Sequence, residues 1–530
     1  MLSEVLQQWL HKISNGLEPY RESNVVNVSL FLFGAYVAWS VWTFTILPKL
    51  QPDRPRVLPY WIPCHAISFF NDADGMFSYG RNYFKNTREP FAIIAAGETL
   101  YIITCVSAVS EVYRNIEQLT FDDYITDMMI SFGASSKAIK TMWNPPSATL
   151  KRPEGAGPGK QALAHVAETL IRQQLQPGKN LDRLQDIFLN SVHRSMTWEH
   201  MASKAVLSSQ QNMRTVSLLE WTREALLEGA TEAFFGPTLL EIEPKLFESF
   251  FTFDDLSWKL TYRIPSPWSN DMKAAKATAQ NALTRYFQMP KKQRPGACWL
   301  VETLETEMRA VDIEPVDIAA YLMMIYWVIN ANAWKVSFWM LAYLLHNPHL
   351  LTTIRDEISP ILTAIQSPNE LASSFNSTQT PRFLALYHEV LRLVTSSVSV
   401  RNIATPAYVG GKQLQPGGRV IIPYRQLLLN DEVFGGDAEA FNPERFLRDG
   451  SLSNNPSYRP YGGGTTYCPG RFLAKAEVLT CVAIATCKYD MEISHGSRIF
   501  PRLEVKKPCL GIMGPVEGDD VVVNIRRMAQ

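Results

Sequence analysis

The chain carries no net charge: 51 lysines and arginines stand against 51 aspartates and glutamates in 530 residues. It has no basic arm either, so no electrostatic field recruits nucleic acid. Its seven cysteines contain no C-x-x-C pair. An odd, sparse set argues against a disulfide framework or a structural zinc site and fits a reducing compartment. There is no internal repeat. The glycine-rich stretch Gly155–Gly159 lacks the lysine–serine ending of a phosphate-binding loop. Charged residues make up only 19% and hydrophobic ones 46%. That is enough apolar material for two domains or one unusually large core.

One long uncharged run is present near the amino end. Val25–Leu47 reads VVNVSLFLFGAYVAWSVWTFTIL. At about 1.5 Å per residue it reaches roughly 35 Å, enough to cross a bilayer core. Trp39 and Trp42 lie toward one end, where amphipathic rings favour the interface. The run is long for a cleaved signal peptide, and no small-residue cleavage site follows it. Lys49, Arg54 and Arg56 put the basic excess after the run, so the remainder is expected on the cytosolic side. In a eukaryotic cell such an anchor points to the endoplasmic reticulum. The division read from this pattern is a lumenal tail (1–24), a transmembrane helix (25–47), a stiff proline-rich linker (48–65) and a catalytic body (66–530).

The body has mainly helical periodicity with short strand-like pieces, so the fold class is mainly α with small β-sheets. Apolar residues recur at three and four spacing in Val216–Phe235, Met272–Phe287 and Arg382–Leu393. Phe91–Thr104, Ala407–Val409 and Arg419–Ile422 read as strands. A single long helix is expected from Pro315 to the Asn347-Pro348 stop. Ile318–Trp334 holds no charge, so by length it could be a second span. Asn330, Asn332 and Lys335 would be costly in lipid. The expectation is therefore a helix through the centre of a globular body, with Lys335 snorkelling to a polar margin.

Chemistry concentrates near the carboxyl end. Residues 460–471 read PYGGGTTYCPGR. Cys468 follows a glycine-rich turn, and Pro469 suits the first turn of a helix that continues through Phe472–Thr486. A thiolate there gains from the helix dipole and free N–H groups. Gly462, Gly463, Gly464 and Gly470 let the backbone approach a flat ligand. This segment resembles the haem-binding loop of the cytochrome P450 superfamily, Phe-x-x-Gly-x-Arg-x-Cys-x-Gly. Tyr461 replaces the phenylalanine, Gly464 and Gly470 match, and Thr466 stands where arginine is usual. Glu389 and Arg392 match that family's Glu-x-x-Arg, and Pro443-Glu444-Arg445-Phe446 matches its Pro-Glu-Arg-Phe segment. Together with the anchor and proline hinge, the resemblance covers nearly the whole chain.

The resemblance implies haem b (iron protoporphyrin IX), with Cys468 as the axial iron ligand. Tyr461, Gly464 and Gly470 would lie against the cofactor. Glu389, Arg392 and Arg445 would hold the ligand loop, since Glu389 and Arg392 share one helical face. Thr466 cannot neutralise a propionate, so Arg401 is the candidate cation. In the central helix Ala331 and Asn332 occupy the places of the family's acid–threonine pair. This resembles the branch of sterol 7α- and 12α-hydroxylases and prostacyclin synthase, and the loop wording resembles fungal members. Asn332 is thus the candidate catalytic residue, able to donate and accept hydrogen bonds but a poor acid. The implied activity is a monooxygenase hydroxylating a bulky hydrophobic sterol, terpenoid or other secondary metabolite. Its partners would be O₂ and NADPH-cytochrome P450 reductase. Two alternatives stay open: rearrangement of a peroxide without NADPH, and a non-catalytic haem-binding membrane protein. Ala134–Pro146 is a candidate wall of the substrate pocket.

Overall fold

The computed structural model describes residues 24–61, 64–144, 161–365, 367–494, 496 and 498–528. Nearly all of the expected lumenal tail (1–23), the loop Gly155–Gly159 and the end of the Ala134–Pro146 segment lie outside the described residues.

The uncharged run forms α1 (Asn24–Val41), which passes through a π-helical turn (Trp42–Ile46) into a last helical turn (Leu47–Leu50). No part of the apolar Val26–Leu50 stretch is buried in the protein, as suits a helix solvated by lipid. Pro48 thus lies inside the helical end rather than in an extended connector. The connector itself is partly built into the body: Arg56–Val57 forms strand β1, paired parallel with Phe91–Ala92.

The first sheet combines β1 with β2 (Phe91–Ala95), β3 (Glu98–Ile102), β4 (Leu119–Thr120), β7 (Val398–Ile403) and β10 (Arg419–Pro423), in the order β1-β2-β3-β10-β7-β4. Phe91–Thr104 is therefore a hairpin, not one strand. Ala96 and Gly97 both have positive φ, +50° and +82°, which a tight two-residue turn requires. A second sheet joins β5 (Val206–Gln210), β6 (Met213–Ser217), β11 (Tyr489–Ile493) and β12 (Val522–Arg527). Ala407–Val409 and Lys412–Leu414 pair separately as β8 and β9. Val216 and Ser217, read as helical from periodicity, close strand β6 instead. The Ser217 hydroxyl then caps the next helix by accepting from Glu220 N at 3.1 Å.

The helices that position the site are α2 (Ala73–Tyr83), α3 (Val106–Arg114), α4 (Leu163–Leu175), α5 (Lys179–Ser195), α6 (Leu218–Phe235), α7 (Leu246–Leu256), α8 (Asn270–Gln288), α9 (Pro315–Asn330), α10 (Ala333–Leu345), α11 (Pro348–Ala364), α12 (Pro381–Val394) and α13 (Arg471–Lys488). The apolar stretch Pro315–Leu345 is 78% buried inside the protein, so it is a core element and not a second span. It is also not one helix. The helix stops at Asn330 and restarts at Ala333. Short amide side chains compete with the backbone ladder: Asn330 Nδ2 donates to Tyr326 O at 2.8 Å, and Asn332 Oδ1 accepts from Ile512 N at 2.9 Å. Lys335 does not snorkel. It is buried, with its ammonium 3.1 Å from Asp254 Oδ2 on α7.

Glu389, Arg392 and Arg445 meet in the core and are all buried. Arg392 Nε and Nη2 each donate to the Glu389 carboxylate at 2.8 Å. Arg445 Nε reaches both carboxylate oxygens at 3.2 Å, and the backbone amide of Asn442 adds a fifth contact at 2.8 Å. The remaining guanidinium donors go to main-chain carbonyls of Leu428, Ala438 and Ala440 for Arg392, and for Arg445 to those of Phe434, Asp437 and Ala440 and to the Asp437 carboxylate at 3.2 Å. Full satisfaction is what makes such a buried group tolerable. Glu389→Ala should therefore cost roughly 3–5 kcal/mol of unfolding free energy, because two buried cations lose their shared anion. Denaturant unfolding would measure it; a loss below about 1 kcal/mol would contradict this geometry.

Candidate functional site

Cys468 sits half-buried just before α13. Its amide donates to the carbonyl of Tyr461 at 3.0 Å, which closes the loop between them. Gly464 has φ +62°, and a Cβ there would stand 2.6 Å from the Tyr113 ring of α3. Any side chain at that position would therefore push the loop off its support. A Cβ at Gly470 would lie 3.9 Å from Cys468 Sγ. Burial pushes the Cys468 thiol up, while the amides of Gly470 and Arg471 and the Arg471 guanidinium pull it down. The expected N–H stabilisation is present, but together with the Arg471 charge it does not outweigh burial.

The loop is buttressed by two hydroxyl pairs. The Tyr461 hydroxyl meets that of Tyr387 on α12, one residue from the histidine that precedes Glu389. The Tyr113 hydroxyl lies 2.6 Å from that of Tyr424. On α4, Arg172 Nη2 donates to the Thr465 carbonyl. Sequence reasoning pointed to Tyr461 but not to Tyr113, Tyr424 or Arg172. Those three approach the loop from distant segments, and nothing local marks them.

Arg401 lies on β7, and its guanidinium reaches the loop. Nη2 donates to Thr466 Oγ1 at 2.7 Å, and Nη1 donates to Ser399 Oγ at 2.8 Å and Val400 O at 2.7 Å. It is 3% exposed. No carboxylate lies within ion-pair distance of it among the described residues, and burial lowers its pKa. A buried, uncompensated guanidinium is expensive without an anionic partner. Nearby, Arg459 stacks 5.4 Å over the Tyr113 ring, and its buried Nε lacks a hydrogen-bond partner among the described residues. A sulfur at a helix start, backbone kept bare by glycine, and cations awaiting anions form a donor set that fits a haem with two propionates.

The break between α9 and α10 faces a second polar group. Asp254 accepts from Trp327 Nε1 at 2.9 Å and pairs with Lys335. One carboxylate thus grips the chain on both sides of the break. Asn332 spends its Oδ1 on Ile512 N. Its Nδ2 donors have no protein partner among the described residues and remain available to water or a ligand. Ser135, within the candidate pocket wall, is fastened to the start of α9: its amide and hydroxyl donate to the Asp317 carboxylate at 2.7 and 2.8 Å. The structure thus joins Cys468, Tyr461, Gly464, Gly470 and Arg401 in one cluster. The Glu389 group stands behind that cluster, and Asn332 lies on the central break.

The family model for cytochrome P450 matches residues 244–515. Among curated proteins, the cytochrome P450 monooxygenase poxD of Penicillium oxalicum is 23% identical over 467 residues, which cover 86% of this chain and 90% of the relative. Cytochrome P450 7B1 of Mus musculus is 23% identical over 525 residues, 94% and 95% of the two chains. Prostacyclin synthase of Homo sapiens is 25% identical over 227 residues, 39% of this chain and 45% of that protein.

One buried acid lies just beyond the ligand loop. Glu477 on α13 is 4% exposed, and burial alone raises its carboxyl to about 8. The unfolded carboxyl releases its proton near 4.5. Between these values the folded chain holds the extra proton, so stability is intact below 4.5 and falls as pH rises toward 8. Glu477→Gln should flatten this slope and add up to about 3 kcal/mol at pH 7. Denaturation curves for both proteins across that window would check it; parallel slopes would show that the carboxylate is compensated.

Proposed function

The chain belongs to the cytochrome P450 family and is a haem b oxidoreductase, and from that premise we propose a membrane-anchored monooxygenase that hydroxylates a bulky hydrophobic secondary metabolite such as a terpenoid or sterol. Electrons come from NADPH through cytochrome P450 reductase, and the oxygen from O₂. The observation that carries this reading is one glycine-bordered loop that holds the half-buried Cys468 and is met at Thr466 by the uncompensated, buried Arg401 of β7. A thiolate-ligated haem, when bound, supplies electron density that favours O–O cleavage.

The residues of this chain do the rest. Cys468 provides the sulfur ligand. Arg401, with Arg459, neutralises propionates in place of the arginine that Thr466 replaces. Glu389, Arg392 and Arg445 hold the loop against α12. Asn332 acts as a donor through Nδ2, orienting a water or a substrate oxygen; its amide cannot itself release a proton at neutral pH. Asp254 holds both flanks of the break from the side of α7, through Trp327 and Lys335. The exposed apolar α1 supports a single-pass anchor, with the body on the cytosolic face of the endoplasmic reticulum.

A different reaction class is held by a relative of the same branch, prostacyclin synthase, so the substrate assay has two arms. With reductase and NADPH, a panel of sterols and terpenoids should give products one oxygen heavier. Turnover of an endoperoxide or hydroperoxide without NADPH would replace this reading with isomerisation. Cys468→Ala should abolish the carbon monoxide difference band of thiolate-ligated ferrous haem, and an unchanged band would remove the ligand assignment. Asn332→Ala should keep haem and lower coupling, releasing more peroxide per NADPH; unchanged coupling would exclude it from proton handling.

A further inference from the structure

A cleft of about 370 Å³ lies where the anchor meets the body. One wall is the last part of the anchor, Phe44 and Pro48; the other carries Arg56, Tyr83, Lys85 and Thr87. The wall positions are held. Trp39 and Phe44 of the anchor pack edge-on against Tyr60, at 5.6 and 5.4 Å between ring centroids. Tyr36 stacks on Trp61 at 5.6 Å. The Arg56 guanidinium lies 4.5 Å over the Phe84 ring.

Among the described residues no carboxylate lines the cleft. Glu89 flanks it, 3.7 Å from Arg56 and 4.0 Å from Lys412, so one anion is shared by two cations. The Lys85 ammonium has no hydrogen-bond or ion-pair partner among the described residues, and Lys85 is exposed. A lysine just past the end of α2 complements the helix dipole whatever lies opposite. That role accounts for the charge but not for a cation-lined space against the anchor. With the anchor in a bilayer, its end at this wall would set the cleft at headgroup depth.

We propose that this cleft binds the phosphate-bearing headgroup of an anionic glycerophospholipid in the leaflet facing the catalytic body. The inference rests on the anchor reading given above. Arg56 and Lys85 take the phosphate, the Tyr83 and Thr87 hydroxyls lie within the same walls, and Phe44 and Pro48 border the acyl chains. Cationic segments at such a surface gain about 1 kcal/mol per charge, or roughly fivefold in affinity. A lipid in the cleft ties the body to one orientation on the bilayer, beyond what a single helix fixes.

The test uses the full-length haem-loaded protein in phosphatidylcholine nanodiscs containing a minor fraction of phosphatidylserine with a photoreactive headgroup. Crosslinks are mapped by mass spectrometry, a readout independent of turnover. Wild type should label peptides spanning Phe44–Arg56 and Tyr83–Thr87. Lys85→Glu and Arg56→Gln should each reduce that labelling roughly fivefold or more while keeping the haem spectrum. Lys292→Glu, on a surface segment that no contact joins to the cleft, should leave it unchanged. Equal loss with Lys292→Glu would reduce the effect to diffuse charge and overturn the site. Competition by inorganic phosphate beyond chloride of matched ionic strength would make it a soluble-anion pocket and overturn the lipid. Alkaline carbonate extraction of the wild-type chain from membranes would instead sink the anchor reading itself.

Discussion

A single carboxylate organises the catalytic half of this protein. Glu389 is wholly buried and shared by two guanidiniums, one from its own helix and one from a segment more than fifty residues onward. Isolated burial of any of the three would be prohibitive; together, with main-chain carbonyls taking the spare donors, they are satisfied. The arrangement locks α12 to the segment that leads into the cysteine loop, with Asp437 taking one further donor of Arg445. Tyr387, on the same helix, carries this constraint to the loop by meeting Tyr461, whose carbonyl in turn receives the Cys468 amide.

Around that frame the charges are left deliberately unequal. The two guanidiniums of the Glu389 group are balanced by Glu389 and Asp437, whereas Arg401 and Arg459 have no carboxylate within ion-pair distance among the described residues. The difference separates the two clusters: paired ions hold the fold, whereas these cations keep their charge without a carboxylate beside them among the described residues. Arg401 reaches Thr466 from a strand, so the positive charge that the loop lost in its own sequence returns from another part of the chain. The central break follows the same logic. Asp254 contacts Trp327 before it and Lys335 after it, and Asn332 is turned toward Ile512. A helix interrupted this way needs partners on both flanks, and it has them.

Local pattern made several features legible. The apolar run without charge, the i,i+3 spacing of Glu389 and Arg392, and a cysteine at a helix start bordered by glycines each follow from adjacency in sequence. The interruption of the central helix had its signal in Asn330 and Asn332, yet periodicity read straight through it, because apolar residues surround the break on every face. Lys335 was misjudged for a related reason. A lysine on an apolar helix snorkels unless an acid is buried beside it, and that acid lies on α7, far away in sequence.

The sequence by itself determined the chemistry on offer: a cysteine at a glycine-bordered helix start, a carboxylate–guanidinium pair, a membrane-length apolar helix and an apolar central stretch interrupted by Asn330 and Asn332. These depend on spacings of a few residues, which backbone geometry translates directly into shared faces and helix ends. Only the tertiary structure decided which charges remain uncompensated, where Arg401 points, what grips the helix break and how the anchor's end meets the body. Those outcomes depend on contacts between segments tens of residues or more apart, and burial, which sets the cost of every one of those charges, exists only once the chain is packed.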